Sequence, residues 1–309
     1  MIVIAGGTGF LGRALAAALA DGGQSITVLT RTGPAGRPPT RTASGSIVHV
    51  EWRPDGTGGN WMSAIDGADA IVNLAGESIA AGRWTTSRKA GLIESRLRAT
   101  TSLVNAIGAL RKPPAVFVSA SAIGYYGDRG DEMLTEGSTP GSDFLAELCV
   151  RWEREAMRAK SDRTRVALIR TGIVLDVKGG ALAKLLPPFK LFVGGPLGSG
   201  RQYMSWIHLV DWVRLVRWTI GRDLAVGPIN ATAPGPVTNR EFSKALGAAL
   251  HRPSLLTTPA FALRVLLGEM AGPLLLSSQR VLPAHAVQLG FQFSYPRLEA
   301  ALQSWFAGT

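Results

Sequence analysis

Three glycines near the start of the sequence have the spacing of a phosphate-binding turn. Gly6, Gly9 and Gly12 lie in the segment GGTGFLG, each separated from the next by two residues. The first glycine of such a set permits a tight turn, the second lets backbone N–H groups approach a pyrophosphate, and the third lets a helix pack closely on a strand. The phosphates would lie at a helix N-terminus, where unpaired N–H groups favour negative charge. The spacing therefore predicts a nucleotide-binding site.

The segments around these glycines are those of a βαβ unit. Residues 1–6 form a short apolar run, as in a buried parallel strand. Residues 13–23 have apolar positions at helical spacing and end in two glycines, and residues 25–31 have the pattern of a second strand. The glycine motif therefore lies in the frame that nucleotide binding requires.

The second predicted strand ends in a cation at a place where an acid is common. In NAD enzymes an acidic residue about 20 residues beyond the glycines accepts hydrogen bonds from the adenosine ribose. Here no acid occurs between Asp21 and Glu51, and Arg31 ends the strand. A guanidinium can hold a phosphate through two parallel hydrogen bonds. We predict that the cofactor is NADP(H) and that Arg31 binds its 2′-phosphate, whereas Arg37 and Arg41 are solvated.

Strands and helices alternate along the rest of the N-terminal half. We predict strands at 46–52, within 67–76, at 114–122 and at 165–175, with helices at 86–110 and 143–159. This alternation indicates an α/β fold with a Rossmann-type, doubly wound parallel sheet, whose ligands lie outside the carboxyl ends of the strands. The residues predicted to contact the cofactor are Gly6, Thr8, Gly9, Phe10, Leu11, Gly12, Arg31, Trp52, Arg53, Leu74, Ala75, Gly76, Glu77, Arg83 and Ser119.

The C-terminal half differs from the N-terminal half in composition and in its predicted elements. Glycine- and proline-rich stretches at 179–207 suggest loops and strands, followed by a helix from near His208 and a helix at 239–250 capped by Asn239. We therefore predict a Rossmann domain at 1–175 and a smaller substrate-side lobe at 176–309.

Composition limits the classes of partner. The net charge is +11, but the arginines are spread along the chain without a basic tract, so we expect an anionic cofactor or substrate and no nucleic acid. One cysteine, Cys149, and four scattered histidines provide no metal-ligand spacing and fit a reducing cytoplasm. No apolar run is long enough to span a bilayer, and no signal peptide is evident, so we expect no membrane partner.

Segments along the whole sequence carry a resemblance to one family. They are GGTGFLG, NLAGESIAAGRW, SRLRATT, SAIGYYGDRG, DFLAELCVRWE, GGPLGSGRQYMSWIHLVD, NATAPGPVTNREF and GFQFSYPRLEAAL. With them the sequence is similar to the extended short-chain dehydrogenases/reductases, and within these to atypical NAD(P)-dependent epimerase-family proteins with a C-terminal domain of unknown function, here at about 250–309. The resemblance implies an extended Rossmann fold that binds NADP(H), and a possible homodimer through helices 86–110 and 143–159.

The sequence departs from that family at the catalytic pair. In extended short-chain dehydrogenases a strand-end serine, here Ser119 or Ser121, assists the tyrosine of a Tyr-x-x-x-Lys helix, whose phenol exchanges a proton with the substrate. No tyrosine of this chain is followed four residues later by lysine. The corresponding helix carries Phe144 and Leu148, which cannot transfer protons.

Three replacements for the missing pair remain open. Tyr126 or Tyr125, after the fifth predicted strand, could supply a phenol, or Tyr126 could only shape the turn. Glu77 could act as a base or, together with Arg83, contact the cofactor. In the WIHLVD segment, His208 and Asp211 could face the cleft or form a structural join. Among these residues and the strand-end serines, we prefer Tyr126, Ser121 and Ser119 as the catalytic candidates.

Two classes of function follow from these residues. The first is an NADP-dependent oxidoreductase or epimerase that acts on a small hydroxy or carbonyl compound or a sugar nucleotide. The second is a protein that holds NADPH as a structural or sensing ligand without turnover. The missing pair favours the second class, whereas the strand-end serines and the predicted cleft favour the first.

Overall fold

The molecule is built around an eight-stranded sheet, and the computed structural model describes residues 1–31 and 45–306 with the backbone of 40–41. The strands are β1 Ile2–Ala5, β2 Ser25–Thr30, β3 Thr40–Arg41, β4 Ser46–Glu51, β5 Ala70–Asn73, β6 Val116–Ala122, β7 Met133–Leu134, β8 Arg165–Thr171, β9 Ile173–Asp176, β10 Tyr203–Met204, β11 Trp206–His208, β12 Gly227–Ala231, β13 Val237–Thr238 and β14 Arg280–Val281. The α-helices are α1 Phe10–Asp21, α2 Thr86–Ala109, α3 Phe144–Met157, α4 Gly180–Lys190, α5 Leu209–Gly221, α6 Asn239–Ala249, α7 Ala260–Leu267, α8 Ala284–Gln288 and α9 Leu298–Phe306.

The order of the strands confirms the predicted fold. The main sheet runs β12-β8-β6-β5-β1-β2-β4-β3, and within this sheet β3 alone of the described strands is antiparallel to its neighbour. The chain proceeds outward from β1 in one direction and then returns to β5 on its other side. The point of reversal therefore lies between β1 and β5, and this is where a doubly wound sheet opens a crevice for a ligand.

Alternation along the strands explains the layers on the two faces of the sheet. Successive side chains of a strand point to opposite faces. Ile2 and Ile4 of β1 belong to the core beneath α1 and α5, whereas Val3 and Ala5 belong to the core beneath α2 and α3. Because both faces are covered there, the central strands β1 and β5 are buried along their whole length, as the sequence suggested.

The strand predicted at 165–175 is two strands. β8 lies in the main sheet, and after Gly172 the chain continues as β9, which pairs with β11 in a second, two-stranded sheet. A Cβ at Gly172 would lie 2.5 Å from the carbonyl oxygen of Ser205 and 2.8 Å from Cγ2 of Thr232. Only glycine allows the chain to change sheets at this crowded position.

The prediction of loops and strands across 179–207 missed a helix. α4 contains Pro187 and Pro188, and helix interiors usually exclude proline because it cannot donate a backbone hydrogen bond. Leu182, Leu186 and Phe189 are nevertheless buried together in the C-terminal core. Burial of this apolar face outweighs the hydrogen bonds that the prolines cannot make.

The cap of α6 is Thr238, not Asn239 as predicted. The Thr238 hydroxyl accepts from the Glu241 N–H, and the Glu241 carboxylate accepts from the Thr238 N–H at 2.7 Å, which forms a capping box. Asn239 is buried, and its side-chain oxygen accepts from the Leu197 N–H at 2.7 Å. The position next to the cap thus holds the loop before β10.

The C-terminal part of the chain contributes to the main sheet as well as to a second region. β12 pairs with β8 at the sheet edge, although it follows residue 175, so the division of the chain at that residue stays a prediction. β14 pairs with β7, and α9 packs with α6 in the C-terminal core. None of the helices in the described residues is long and apolar enough to cross a membrane.

Candidate functional site

The glycine turn after β1 has the close contacts that its sequence predicts. Gly6 has a φ of +78°, and a Cβ there would lie 2.6 Å from the carbonyl group of Leu74. A Cβ at Gly12 would lie 2.3 Å from the Gly6 carbonyl oxygen and 2.6 Å from the Gly7 Cα. These distances leave no room for a side chain, so glycines are required for α1 to begin this close to β1 and β5.

The N-terminus of α1 is available to an anion. Gly9 is the N-cap residue, no side chain caps the helix within the described residues, and the first turn contains no acid. The first N–H groups of a helix lack partners inside the helix and carry its positive dipole end. A phosphate is the ligand that such an end accepts best.

A cavity of about 400 Å³ opens beside this helix end, at the carboxyl edge of the sheet. It is the space between the glycine turn, the ends of β2 and β4, the segment after β5 and one side of α2. Its lining residues are Gly6, Thr8, Gly9, Leu29, Thr30, Arg31, Trp52, Pro54, Leu74, Ala75, Gly76, Glu77, Gly91, Glu94, Ser95, Arg98 and Ala99.

Most of the predicted cofactor contacts meet in this cavity. Phe10, Leu11, Gly12, Arg53 and Ser119 are outside its lining. The lining residues of α2, which the sequence analysis missed, approach the cavity only because the helix crosses the sheet. No local sequence signal marks them.

Arg31 lies at the end of β2 and beside the cavity, as predicted. It directly follows β2, its side chain is exposed, and it lines the cavity together with Thr30. Arg37 and the side chain of Arg41 lie outside the described residues. Arg31 is therefore in position to contact a group in the cavity at the end of β2.

The segment after β5 is held rigidly against α2. The guanidinium of Arg96 donates to the Glu77 carbonyl oxygen at 2.9 Å and to that of Leu92 at 3.0 Å. The Asn73 amide donates to the Thr100 hydroxyl at 2.9 Å. Burial lowers the pKa of Arg96 from its ordinary value. These bonds fix the cavity wall formed by residues 74–77.

Glu77 and Arg83 have different surroundings. Glu77 lines the cavity, and its carboxylate forms an ion pair with Arg88. Arg83 is outside the lining, and its guanidinium donates to the carbonyl oxygens of Val265 and Leu266 at 2.9 and 3.0 Å. The structure thus gives the Arg83 side chain a partner at the C-terminus of α7, where a cation is favoured.

Two of the preferred catalytic candidates, Ser121 and Tyr126, are part of a buried polar network. Ser121 donates to the Glu153 carboxylate at 2.6 Å, and Glu153 in turn accepts two hydrogen bonds from Arg170, both 2.8 Å long. The Tyr126 hydroxyl accepts from Arg170 at 3.0 Å and donates to Asn230 at 2.7 Å. Glu153 and Arg170 were not identified from the sequence, because a charged pair inside a core has no local pattern.

Tyr126 has the environment of a structural residue. Its side chain is fully buried, and burial raises the pKa of its phenol to about 12 despite the nearby Arg170. Ser119 is also fully buried. The arrangement favours the alternative in which Tyr126 shapes the turn after β6.

The face of α3 that covers the end of β6 is largely apolar. Leu145, Leu148 and Cys149 are buried there, and Phe144 packs edge-on against Trp84 with ring centroids 5.0 Å apart. Burial raises the pKa of the Cys149 thiol to about 12. No side chain on this face resembles the tyrosine and lysine of related dehydrogenases.

His208 and Asp211 form the structural join. The His208 ring caps α5 by accepting from the Val210 N–H at 3.1 Å, and it stacks on Tyr295 and Trp305 at 3.9 and 4.2 Å. Asp211 is fully buried and accepts hydrogen bonds from the backbone of Ser294 and Tyr295. Both residues thus hold the C-terminal segment and not a substrate.

The environment of His208 predicts a specific pH dependence of stability. Burial lowers its pKa from 6.5 to about 4, so protonation favours the unfolded chain. The contribution of His208 is complete above pH 6.5 and is lost as the pH falls from 6.5 towards 4, by about 3 kcal/mol at most. We expect His208→Asn, which keeps a capping side chain, to flatten urea-midpoint measurements across this range. The exposed His251, changed to asparagine, is the control and should leave the slope unchanged; an unchanged slope in His208→Asn would contradict the assignment.

The fold and site define a class of protein, and comparison with known families agrees. A family model described as "NAD dependent epimerase/dehydratase family" matches residues 2–230, and one described as "Domain of unknown function (DUF1731)" matches residues 258–305. The chain belongs to the NAD-dependent epimerase/dehydratase family.

Individual relatives match along nearly the whole chain. The chloroplastic SDR39U1 homolog of Arabidopsis thaliana, an epimerase family protein, is 41% identical over 98% of this chain and 86% of its own length. The epimerase family protein YfhF of Bacillus subtilis is 36% identical over 99% of this chain and 98% of its own. The crystal structure of human epimerase family protein SDR39U1 with NADPH superposes with a TM-score of 0.89 at 32% identity, covering 100% of this chain and 99% of the human one.

Proposed function

We propose that the protein binds NADP(H) in the cavity at the carboxyl edge of the sheet. The observation that carries this proposal is the combination, in one cavity, of an uncapped helix N-terminus and an arginine at the end of β2. The first suits a pyrophosphate, and the second suits a 2′-phosphate. The human relative crystallised with NADPH supports the same cofactor for this chain.

Different residues of the cavity would contact different parts of the cofactor. The turn from Gly6 to Gly12 would hold the pyrophosphate, and Arg31 with Trp52 would border the adenosine end. Glu77 lines the wall beyond Gly76, where its carboxylate would accept hydrogen bonds from ribose hydroxyls. Arg88, paired with Glu77, would hold that carboxylate in place.

The reaction that we propose is hydride transfer in an oxidoreductase or epimerase of the extended short-chain dehydrogenase type. The cofactor supplies the hydride chemistry, and the substrate would be a small hydroxy or carbonyl compound or a sugar nucleotide. Family membership and the second region of the chain support this class. Solved structures under 25% identical, such as a UDP-glucuronic acid 4-epimerase of Bacillus cereus, share the fold alone.

A second candidate function is NADPH binding without turnover. The observation that favours it is the buried network around Tyr126, whose hydroxyl has two protein partners and is inaccessible to a ligand. The apolar face of α3 also favours this candidate, because it offers no group to exchange a proton with a substrate.

Stopped-flow absorbance at the reduced-nicotinamide band separates the two candidates. The protein with NADPH would be mixed with a panel of aldehydes, ketones and sugar nucleotides, while calorimetric titration measures NADPH binding on the same preparation. Turnover of any member of the panel supports the enzyme. Tight NADPH binding with complete inertness supports the second candidate, and absence of NADPH binding contradicts both.

Removing the Tyr126 hydroxyl tests its role. We expect Tyr126→Phe to lower the free energy of unfolding by about 1–2 kcal/mol, because Arg170 and Asn230 each lose a buried partner. Affinity for NADPH should stay unchanged, and so should any turnover found with the panel. A fall in turnover by about a hundredfold or more, with NADPH affinity intact, would instead identify the phenol as a proton donor.

A further inference from the structure

Large apolar side chains are exposed together in the C-terminal half of the chain. Leu255 is 83% exposed and Phe261 is 70% exposed, which means that each stands out from the surface. We call this set the apolar surface, and it consists of Leu191, Phe192, Val193, Leu255, Leu256, Phe261, Val265 and Leu266. Scattered apolar side chains are normal on a protein, but a cluster of this size indicates a contact with something else.

The two segments that carry these side chains are in contact. Thr258 donates to the Pro196 carbonyl oxygen at 2.9 Å and accepts from the Gly198 N–H at 2.8 Å. The Arg252 guanidinium lies 4.5 Å from the centroid of the Phe192 ring. The loop after α4 and the segment leading into α7 therefore form one continuous surface.

Cationic side chains outnumber acidic ones around this surface, and Glu269, just beyond α7, is paired with Lys89. No aspartate or glutamate occurs in residues 177–210 or 242–268, the two stretches that contribute the apolar side chains. Exposed cations lie beside them, namely Lys190, Arg252 and Arg264. Cationic side chains next to protruding apolar ones are complementary to a layer that is anionic at its surface and apolar beneath it.

The shape of the surface also favours a lipid layer. α7 buries Leu263 and packs Leu267 partly against the core, whereas Phe261, Val265 and Leu266 are exposed. A site for a ligand or peptide is usually concave and partly encloses its apolar contacts. Side chains that protrude from a short helix and two loops are suited to insertion among lipid headgroups.

We propose that the apolar surface docks the protein on a membrane that contains anionic lipids. This changes the expectation of no membrane partner, which concerned spanning segments; binding at a surface needs none. The docked region is fastened near the start of α2, because Arg83 bonds the end of α7 and Lys89 pairs with Glu269 at 2.9 Å, and neither Arg83 nor Lys89 lines the cofactor cavity. The protein would therefore sit with the second region, not the cofactor cavity, against the lipid.

Sedimentation with vesicles tests the proposal. The whole protein would be mixed with vesicles of phosphatidylcholine alone and of phosphatidylcholine with phosphatidylserine. We expect binding to the anionic vesicles that weakens as salt is raised. Leu255→Ser with Phe261→Ser should weaken it by about 10- to 100-fold. Arg252→Glu with Arg264→Glu should weaken it by at least about tenfold, for loss of charge attraction.

Matched controls make the outcomes decisive. Leu224 and Met133 are 63% and 61% exposed elsewhere, so serine at both should leave vesicle binding unchanged. Arg111→Glu with Arg163→Glu, at two other exposed arginines, is the control for the charge changes and should also leave vesicle binding unchanged. Urea midpoints and NADPH titration show that each variant is folded. The proposal would be overturned if the protein did not bind anionic vesicles, or if the control variants lost binding as much as the test variants. It would also be overturned if the mass in solution doubled with concentration and the Leu255/Phe261 changes halved it again, because the surface would then be an interface between copies.

Discussion

Replacing Arg31 by alanine is expected to weaken NADPH binding by about 10- to 150-fold, because a charge-assisted bidentate contact with a phosphate is worth about 1.5–3 kcal/mol. NADH lacks the 2′-phosphate, so its affinity should change far less. Arg31 lines the cavity at the end of β2, where this contact would form. Calorimetric titration of both dinucleotides into the wild type and the variant measures the difference.

Arg31→Asp should have a larger effect than alanine. A carboxylate would repel the 2′-phosphate and would offer an acceptor to the ribose hydroxyls of NADH, so the preference should narrow or reverse. The exposed Arg163, which is outside the cavity lining, provides a charge-matched alanine control. Equal losses for both dinucleotides would show that Arg31 only supports the fold. Unchanged NADPH affinity would move the phosphate contact, with Arg37 as the next candidate.

Replacing Asp211 by alanine is expected to lower the free energy of unfolding by about 3–5 kcal/mol. The carboxylate is fully buried and accepts from the backbone N–H groups of Ser294 at 2.8 Å and Tyr295 at 2.7 Å. Arg214 donates to the same carboxylate at 3.0 Å. Alanine would leave these donors without a partner and would release the segment that covers His208.

Urea denaturation measures this loss, and two further variants interpret it. Asp211→Asn keeps the size and one acceptor oxygen, so we expect it to cost about half as much as alanine. The fully exposed Asp223, changed to alanine, should have no measurable effect. Limited proteolysis should cut Asp211→Ala near residues 290–297 before the rest of the chain. An unfolding midpoint equal to that of the wild type would refute the role of Asp211.

The parallel sheet was predictable because its signals are local. Runs such as IVIA in β1 and AIVN in β5 are buried on both faces, and continuous apolar runs between glycines mark such strands. The helices α2 and α3 were predicted to within two residues for the same reason, since their apolar positions recur at helical spacing. What failed depended on distant contacts. Gly172 divides a continuous strand pattern because Ser205 and Thr232 crowd it from elsewhere in the chain.

The sequence predicted the parts of the candidate site that follow from strand ends and glycines, but not the parts that depend on contacts between distant side chains. The glycine turn and Arg31 follow directly from strand ends, so they lie where the sequence places them. The role of Tyr126 depends on Arg170 and Asn230, which are 44 and 104 residues away along the chain. Only packing shows that its hydroxyl is occupied. The α2 wall of the cavity has the same character, since Glu94 and Arg98 reach it across the sheet edge.

The contacts of the C-terminal segment bear on how this chain can be cut and recombined. β14 pairs with β7, Tyr295 and Trp305 stack on the ring of His208, and the Ser294 N–H donates to the Asp211 carboxylate. β7, His208 and Asp211 all lie within residues 2–230, which the epimerase model matches, whereas the residues that contact them lie within residues 258–305, which the other model matches. The two matched regions are therefore not interchangeable modules. A chimaera that takes its tail from another family member must bring a compatible His208 and Asp211 neighbourhood with it.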